Sequence, residues 1–98
     1  MSAEEIKSAL REAVKAPTGI IIETPDYVYA LWEVTKGVWK QAWYSFVDKD
    51  GEVNTIDERK ALLLLIEEVS KSLVRFAKGG FRTIISEQEL ESVLEKIG

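Results

Sequence analysis

All three tryptophans of this 98-residue chain lie in one segment, between residues 25 and 46. With roughly 100° of rotation per residue, Trp32, Trp39 and Trp43 project from about a third of a helix circumference. The same stripe contains five further side chains, most of them apolar: Val28, Leu31, Thr35, Ala42 and Phe46. This spacing predicts a long amphipathic helix over 25–47 whose apolar face is turned towards the core.

The same segment permits a second interpretation as a β-hairpin. Residues 27–35 and 38–47 are both rich in side chains that favour strands. The apolar positions repeat every 3.6 residues and not every second residue, so the helix is the preferred interpretation.

Capping chemistry predicts where four helices begin. Each start is a short segment with a side chain that can accept from the first helical N–H groups: 2–5, 24–26, 55–58 and 86–89. The predicted helices run over 3–16, 25–47, 56–78 and a short stretch at the C terminus. Gly79 and Gly80 end the third of them, because glycine takes a positive φ at no cost.

Two short apolar segments remain, GIIIE at 19–23 and FRTII at 81–85, and each lies between two predicted helices. Both are dominated by β-branched residues and could pair as a two-stranded ribbon. The predicted fold class is therefore mostly α: one compact four-helix domain over 1–98. With the ribbon, its order is helix–strand–helix, turn, helix–strand–helix.

Composition narrows the functional classes. The chain contains no histidine and no cysteine, which removes the commonest general base and metal ligand and all thiolate chemistry. The net charge of −4 gives no support to non-specific nucleic-acid binding. No apolar run approaches the ~20 residues of a membrane span. We expect a soluble, cytoplasmic, non-enzymatic protein without a cofactor. Its scarcity of asparagine and glutamine resembles the composition of thermophile proteins.

The segment 46–57 contains the most site-like polar turn. It resembles part of an EF-hand calcium loop, with Gly51 at the sixth loop position. The first position is then Phe46, which offers no oxygen ligand. The resemblance implies a calcium site with these candidate ligands: Asp48, Asp50, Glu52 and Asp57. The alternative is a hydrophilic turn that uses aspartate and glycine for its conformation.

Four cations cluster near the end of the third predicted helix: Lys71, Arg75, Lys78 and Arg82. With Phe76 and Phe81 beside them, they could hold a phosphate or a nucleic-acid strand by charge and stacking. Alternatively, they stabilise the helix dipole and pair with Glu67 and Glu68. The acidic character of the whole chain favours the second interpretation.

Protein–protein interaction is the first functional hypothesis. Tyr29 and Tyr44 fall on the polar side of the second predicted helix, where aromatic side chains favour interfaces. Leu63 and Val74 widen the apolar face of the third helix beyond what one neighbouring helix can cover, and self-association would cover the remainder. We therefore expect an interaction or assembly domain, a homo-oligomer, with Tyr29, Tyr44, Leu63 and Val74 as contact residues.

Overall fold

The computed structural model describes the backbone of residues 2–78 and 82–98 and the side chains of 2–71 and 82–98. Over these residues the chain forms three helices and five strands. Their order is α1 (Ala3–Lys15), β1 (Gly19–Glu23), β2 (Tyr27–Thr35), β3 (Val38–Ser45), β4 (Asp50–Asp57), α2 (Glu58–Lys78), β5 (Arg82–Thr83) and α3 (Glu87–Leu94). The fold is therefore α+β, and the prediction of a mostly α four-helix domain is wrong.

The five strands form one antiparallel sheet in the order β4-β3-β2-β1-β5. Helices α1 and α3 contact each other and cover one face, whereas α2 contacts β3 and β4 from the opposite face. Two apolar clusters result, one on each side of the sheet. The cluster under α1 and α3 includes Ile6, Leu10, Trp32, Leu90 and Val93. The cluster under α2 contains Tyr29, Leu31, Trp39, Ile56 and Ala61.

The predicted helix over 25–47 is wrong, because this segment forms the β2–β3 hairpin. Its turn includes Gly37, whose φ of +81° is a conformation that glycine adopts readily. The tryptophan stripe is divided between the two sheet faces: Trp32 belongs to the cluster under α1, and Trp39 and Trp43 to the cluster under α2. Strand pairing, and not a helical face, brings these apolar side chains together.

The local capping predictions have mixed outcomes. Ser2 accepts from the Glu5 N–H (3.3 Å) and so begins α1, and Ser86 likewise begins α3. Thr55, by contrast, belongs to β4, and α2 begins only after Asp57, whose carboxylate accepts from the Lys60 N–H at 2.8 Å.

The predicted pairing of the two apolar segments is found over two residues, Ile22 with Thr83 and Glu23 with Arg82. This pairing is part of the larger sheet and not an isolated ribbon. The first residue of the second segment, Phe81, lies outside the described residues.

Candidate functional site

Helix α2 exposes large aliphatic side chains on the face turned away from the sheet. Its inner face packs on the sheet through Ala61, with Leu64 and Leu65 partly buried beside it. The outward face presents four aliphatic side chains: Leu62 (48% exposed), Leu63 (61%), Ile66 (66%) and Val69 (41%). Single exposed apolar residues are ordinary, but a group of four on one helix face is typical of an interaction surface.

The spacing of this outward face is that of a helix–helix seam. Leu62, Ile66 and Val69 are separated by four and then three residues, which is the repeat that lets two helices interlock side chains. In the sequence the same spacing continues to Leu73 and Phe76. The part of α2 whose side chains are described, residues 58–71, therefore presents an apolar stripe with the spacing of a coiled coil.

The proposed contact residues fall in different environments. Leu63 lies on the outward face of α2, and the side chain of Val74 lies outside the described residues. Tyr29 and Tyr44 are buried on opposite faces of the sheet. Burial, with Glu68 and Glu67 nearby, raises the pKa of Tyr29, whose hydroxyl donates to Gln41 Oε1 (2.9 Å). The two tyrosines are core residues here, because the helix that placed them at the surface is not formed.

The basic cluster is only partly described, and its described members are paired with carboxylates. Lys71 Nζ lies 3.0 Å from Glu67 and 3.4 Å from Glu68. The hydrogen bond with Glu67 and the charge of Glu68 raise the pKa of Lys71. Arg82 lies on β5 and pairs with Glu23. The side chains of Arg75 and Lys78 lie outside the described residues. Phosphate or nucleic-acid binding stays a hypothesis that none of these contacts favours.

The four carboxylates proposed for calcium lie along a turn and a strand, and the helix–loop–helix of an EF-hand is not formed. Asp50 and Asp57 are the first and last residues of β4, which at about 3.3 Å per residue separates them by roughly 23 Å. Asp48 accepts from the Ser45 hydroxyl within the turn (3.3 Å), and Asp57 caps α2. The described part of the chain contains no group of three acidic side chains suited to a metal ion.

Calcium binding therefore stays a hypothesis, and titration calorimetry on the full chain tests it. Saturable heat that disappears in Asp50→Asn would support a site at this turn. Absence of heat at millimolar calcium would remove the hypothesis, since one ion needs six to eight oxygen ligands close together.

A buried ion cluster that the sequence did not indicate joins the last strand and the C terminus to the sheet. Glu23 on β1 is almost fully buried; its Oε1 accepts from Arg82 Nη2 (2.6 Å) and its Oε2 from Lys96 Nζ (2.7 Å). Arg82 also donates to the Ser92 hydroxyl at 3.2 Å. Burial acts to raise the pKa of Glu23, but the hydrogen bonds and charges of Lys96 and Arg82 outweigh it and hold the pKa below its ordinary value. This arrangement is a structural clamp whose polar groups are already satisfied.

Comparisons of the chain with protein-family models, with curated proteins and with solved structures found no match. Within residues 2–78 and 82–98, no helix is both long enough and apolar enough to cross a membrane. The longest helix, α2, has 21 residues, but charged side chains such as Glu67, Glu68 and Lys71 interrupt its apolar ones. Of the eight large apolar side chains that are exposed over the described residues, four lie on α2.

Proposed function

We propose that this protein is a non-enzymatic interaction domain that assembles with copies of itself through the outward face of α2. One observation carries the proposal: Leu62, Leu63, Ile66 and Val69 are exposed on one face of a helix whose opposite face is already packed against the sheet. Covering such a face stabilises an assembly by about 25 cal/mol for each Å² of apolar surface that is removed from water.

A second copy of the chain fits this surface because the stripe can pair with itself. Most homodimers are related by a two-fold axis, which places the same patch of each subunit in the interface. A four-three repeat meets that requirement, because the side chains of one helix insert between those of an identical helix. The polar side chains Glu67 and Lys71, which already pair on the same helix, then remain at the rim of the interface, where charge costs little.

The first test replaces one exposed aliphatic side chain by a carboxylate. We expect the unmodified chain to elute from size exclusion with a light-scattering mass at least twice its 11.1 kDa. Ile66→Glu should return the protein to the monomer mass, since a buried, unpaired carboxylate at a helix seam is strongly unfavourable. We expect at least a ~100-fold weaker self-association, as for residues at the centre of an interface.

Val47→Glu is the matched control. Val47 is 71% exposed in the β3–β4 turn and is not part of the outward face of α2, so this variant gains the same charge and should still assemble. Circular dichroism checks that both variants are folded. A strictly monomeric parent protein at millimolar concentration, or equal masses for the Ile66→Glu and parent proteins, would refute the proposal.

A further inference from the structure

The outer strand β4 has main-chain groups that no other strand pairs with over the described residues. The Phe46 N–H donates to the Asp26 carbonyl beside β2 (2.8 Å). Along an antiparallel strand, the main-chain N–H and C=O groups of successive residues point to opposite neighbours. The main-chain groups of the even-numbered residues of β3 therefore pair with β2, and those of the odd-numbered residues pair with β4. The odd-numbered residues of β3 lie opposite even-numbered residues of β4, such as Asn54. The N–H and C=O groups of Val53 and Thr55 thus point in the plane of the sheet, away from β3 and towards the open edge.

A groove runs beside this open edge, between β4 and α1. Its volume is about 390 Å³, and Val53 and Thr55 line it together with Glu5, Ser8 and Glu12 of α1. Val53 is half-buried and Thr55 is exposed. The free main-chain groups and the groove therefore coincide at the same two residues.

At the start of the strand the space is filled. Gly51 is buried, and a Cβ placed on it would come within 3.1 Å of Ile6 Cδ1. Because Gly51 is buried, its main chain is covered, and the accessible part of this edge begins after it.

The surroundings of the edge are acidic. β4 itself carries Asp50, Glu52 and Asp57 and no basic side chain, while Glu5 and Glu12 border the groove and Lys40 is its one basic lining residue. A second copy of β4 would bring three further carboxylates to this edge, and like charges on adjacent strands are destabilising. Charges along an edge strand are also a common means of preventing such self-pairing. The edge therefore disfavours another copy of this chain and favours a cationic partner.

We propose that the β4 edge binds an extended, lysine- or arginine-rich segment of another protein as an added strand. The main-chain groups of Val53 and Thr55 supply hydrogen bonds to the segment. Because side chains alternate along a strand, one set of basic side chains enters the groove towards Glu5 and Glu12. The other set lies on the opposite face beside Glu52. This surface shares no residue with the outward face of α2, so it does not depend on self-association.

The experiment uses the full isotope-labelled chain and a blocked six-residue peptide of lysine and arginine, which carries basic side chains on both faces of the added strand. We expect amide chemical shifts to change at Val53 and Thr55 and in the adjoining groove, with saturation as the peptide is added. A second peptide carries the same charges but methyl groups on alternate backbone nitrogens, so that it cannot pair as a strand. It should bind at least ~10-fold more weakly.

Variants of the protein separate strand pairing from general attraction between charges. Thr55→Pro removes an N–H that points away from β3 and is tolerated at a sheet edge, so it should weaken peptide binding ~10-fold or more. Glu52→Lys should also weaken binding. Glu91→Lys, an equal charge change at an exposed position of α3, should leave it within ~2-fold, because Glu91 belongs neither to β4 nor to the lining of the groove.

Three results would overturn the proposal. They are unchanged amide shifts over 53–55 at millimolar peptide, equal affinity of the methylated peptide, and equal weakening by Glu91→Lys and Glu52→Lys. If Thr55→Pro does not fold, the comparison of the two peptides on the unmodified chain still decides between strand addition and adventitious charge attraction.

Discussion

Replacing Trp32 by alanine should lower the free energy of unfolding by about 3–5 kcal/mol. The indole is fully buried in the cluster under α1, and its Nε1 donates to Glu12 Oε1 (3.4 Å). Gly19, opposite it on β1, leaves room for it: a Cβ there would lie 2.7 Å from Trp32 Cβ. Domains of this size are stable by only about 5–15 kcal/mol, so urea unfolding followed by circular dichroism should show a large shift in midpoint.

Trp43→Ala is the matched control. This variant loses the same type of side chain from the same sheet, but Trp43 is only partly buried under α2. We expect its loss of stability to be clearly smaller, since the cost of truncation follows the apolar surface that burial had removed from water. A larger loss for Trp43→Ala than for Trp32→Ala would contradict the expectation that the fully buried indole contributes more to stability than the partly buried one.

The burial of Trp32 beside Leu31 also explains why the sequence pattern of the hairpin predicts a helix. A strand with one solvent-exposed face has alternating apolar and polar residues. In a sheet covered on both faces, apolar side chains occupy both even and odd positions of a strand. Leu31 and Trp32 are neighbours in sequence and both fully buried, one on each face. With the alternation lost, positions three and four apart matched a helical stripe. The preference of tryptophan, tyrosine and valine for strands was the correct signal.

What the sequence did predict was local. Ser2 and Ser86 were identified as helix caps because a cap depends on residues within one turn. Exposure of Leu63 was also expected, since the apolar face of α2 is wider than one neighbour covers. The predicted placement of Tyr29 and Tyr44 on an exposed helix face was wrong, because that helix is not formed and both side chains are buried in the sheet.

The clamp around Glu23 could not be predicted, because its partners are distant in sequence. Arg82 is 59 residues away and Lys96 is 73 residues away. Isolated charges in a sequence carry no sign of which of them the fold will bring together. Only the pairing of β1 with β5 and the packing of α3 place these three side chains at one point.

Removing the carboxylate of Glu23 should cost about 3 kcal/mol, the lower end for breaking a buried pair by deleting one partner. Arg82 and Lys96 are each about half exposed, so water partly compensates for their loss of a partner. Because the pKa of Glu23 is lowered on folding from its ordinary value of 4.5, the unfolded chain binds its proton more readily. The clamp should therefore stabilise the fold fully above about pH 4.5, and this contribution should be lost as the pH falls through the lower pKa of the folded state.

Glu23→Gln tests both parts of this expectation in urea titrations at several pH values between 3 and 7. The amide keeps the shape of the side chain but cannot carry charge, so the variant should be less stable at pH 7 and should lose stability less steeply on acidification. Glu87→Gln is the control, since its pairing with Lys15 (3.5 Å) involves two largely exposed side chains and such pairs contribute little. If the two variants have the same stability at pH 7 and the same acid slope, the ion cluster around Glu23 does not hold β5 and the C terminus to the sheet.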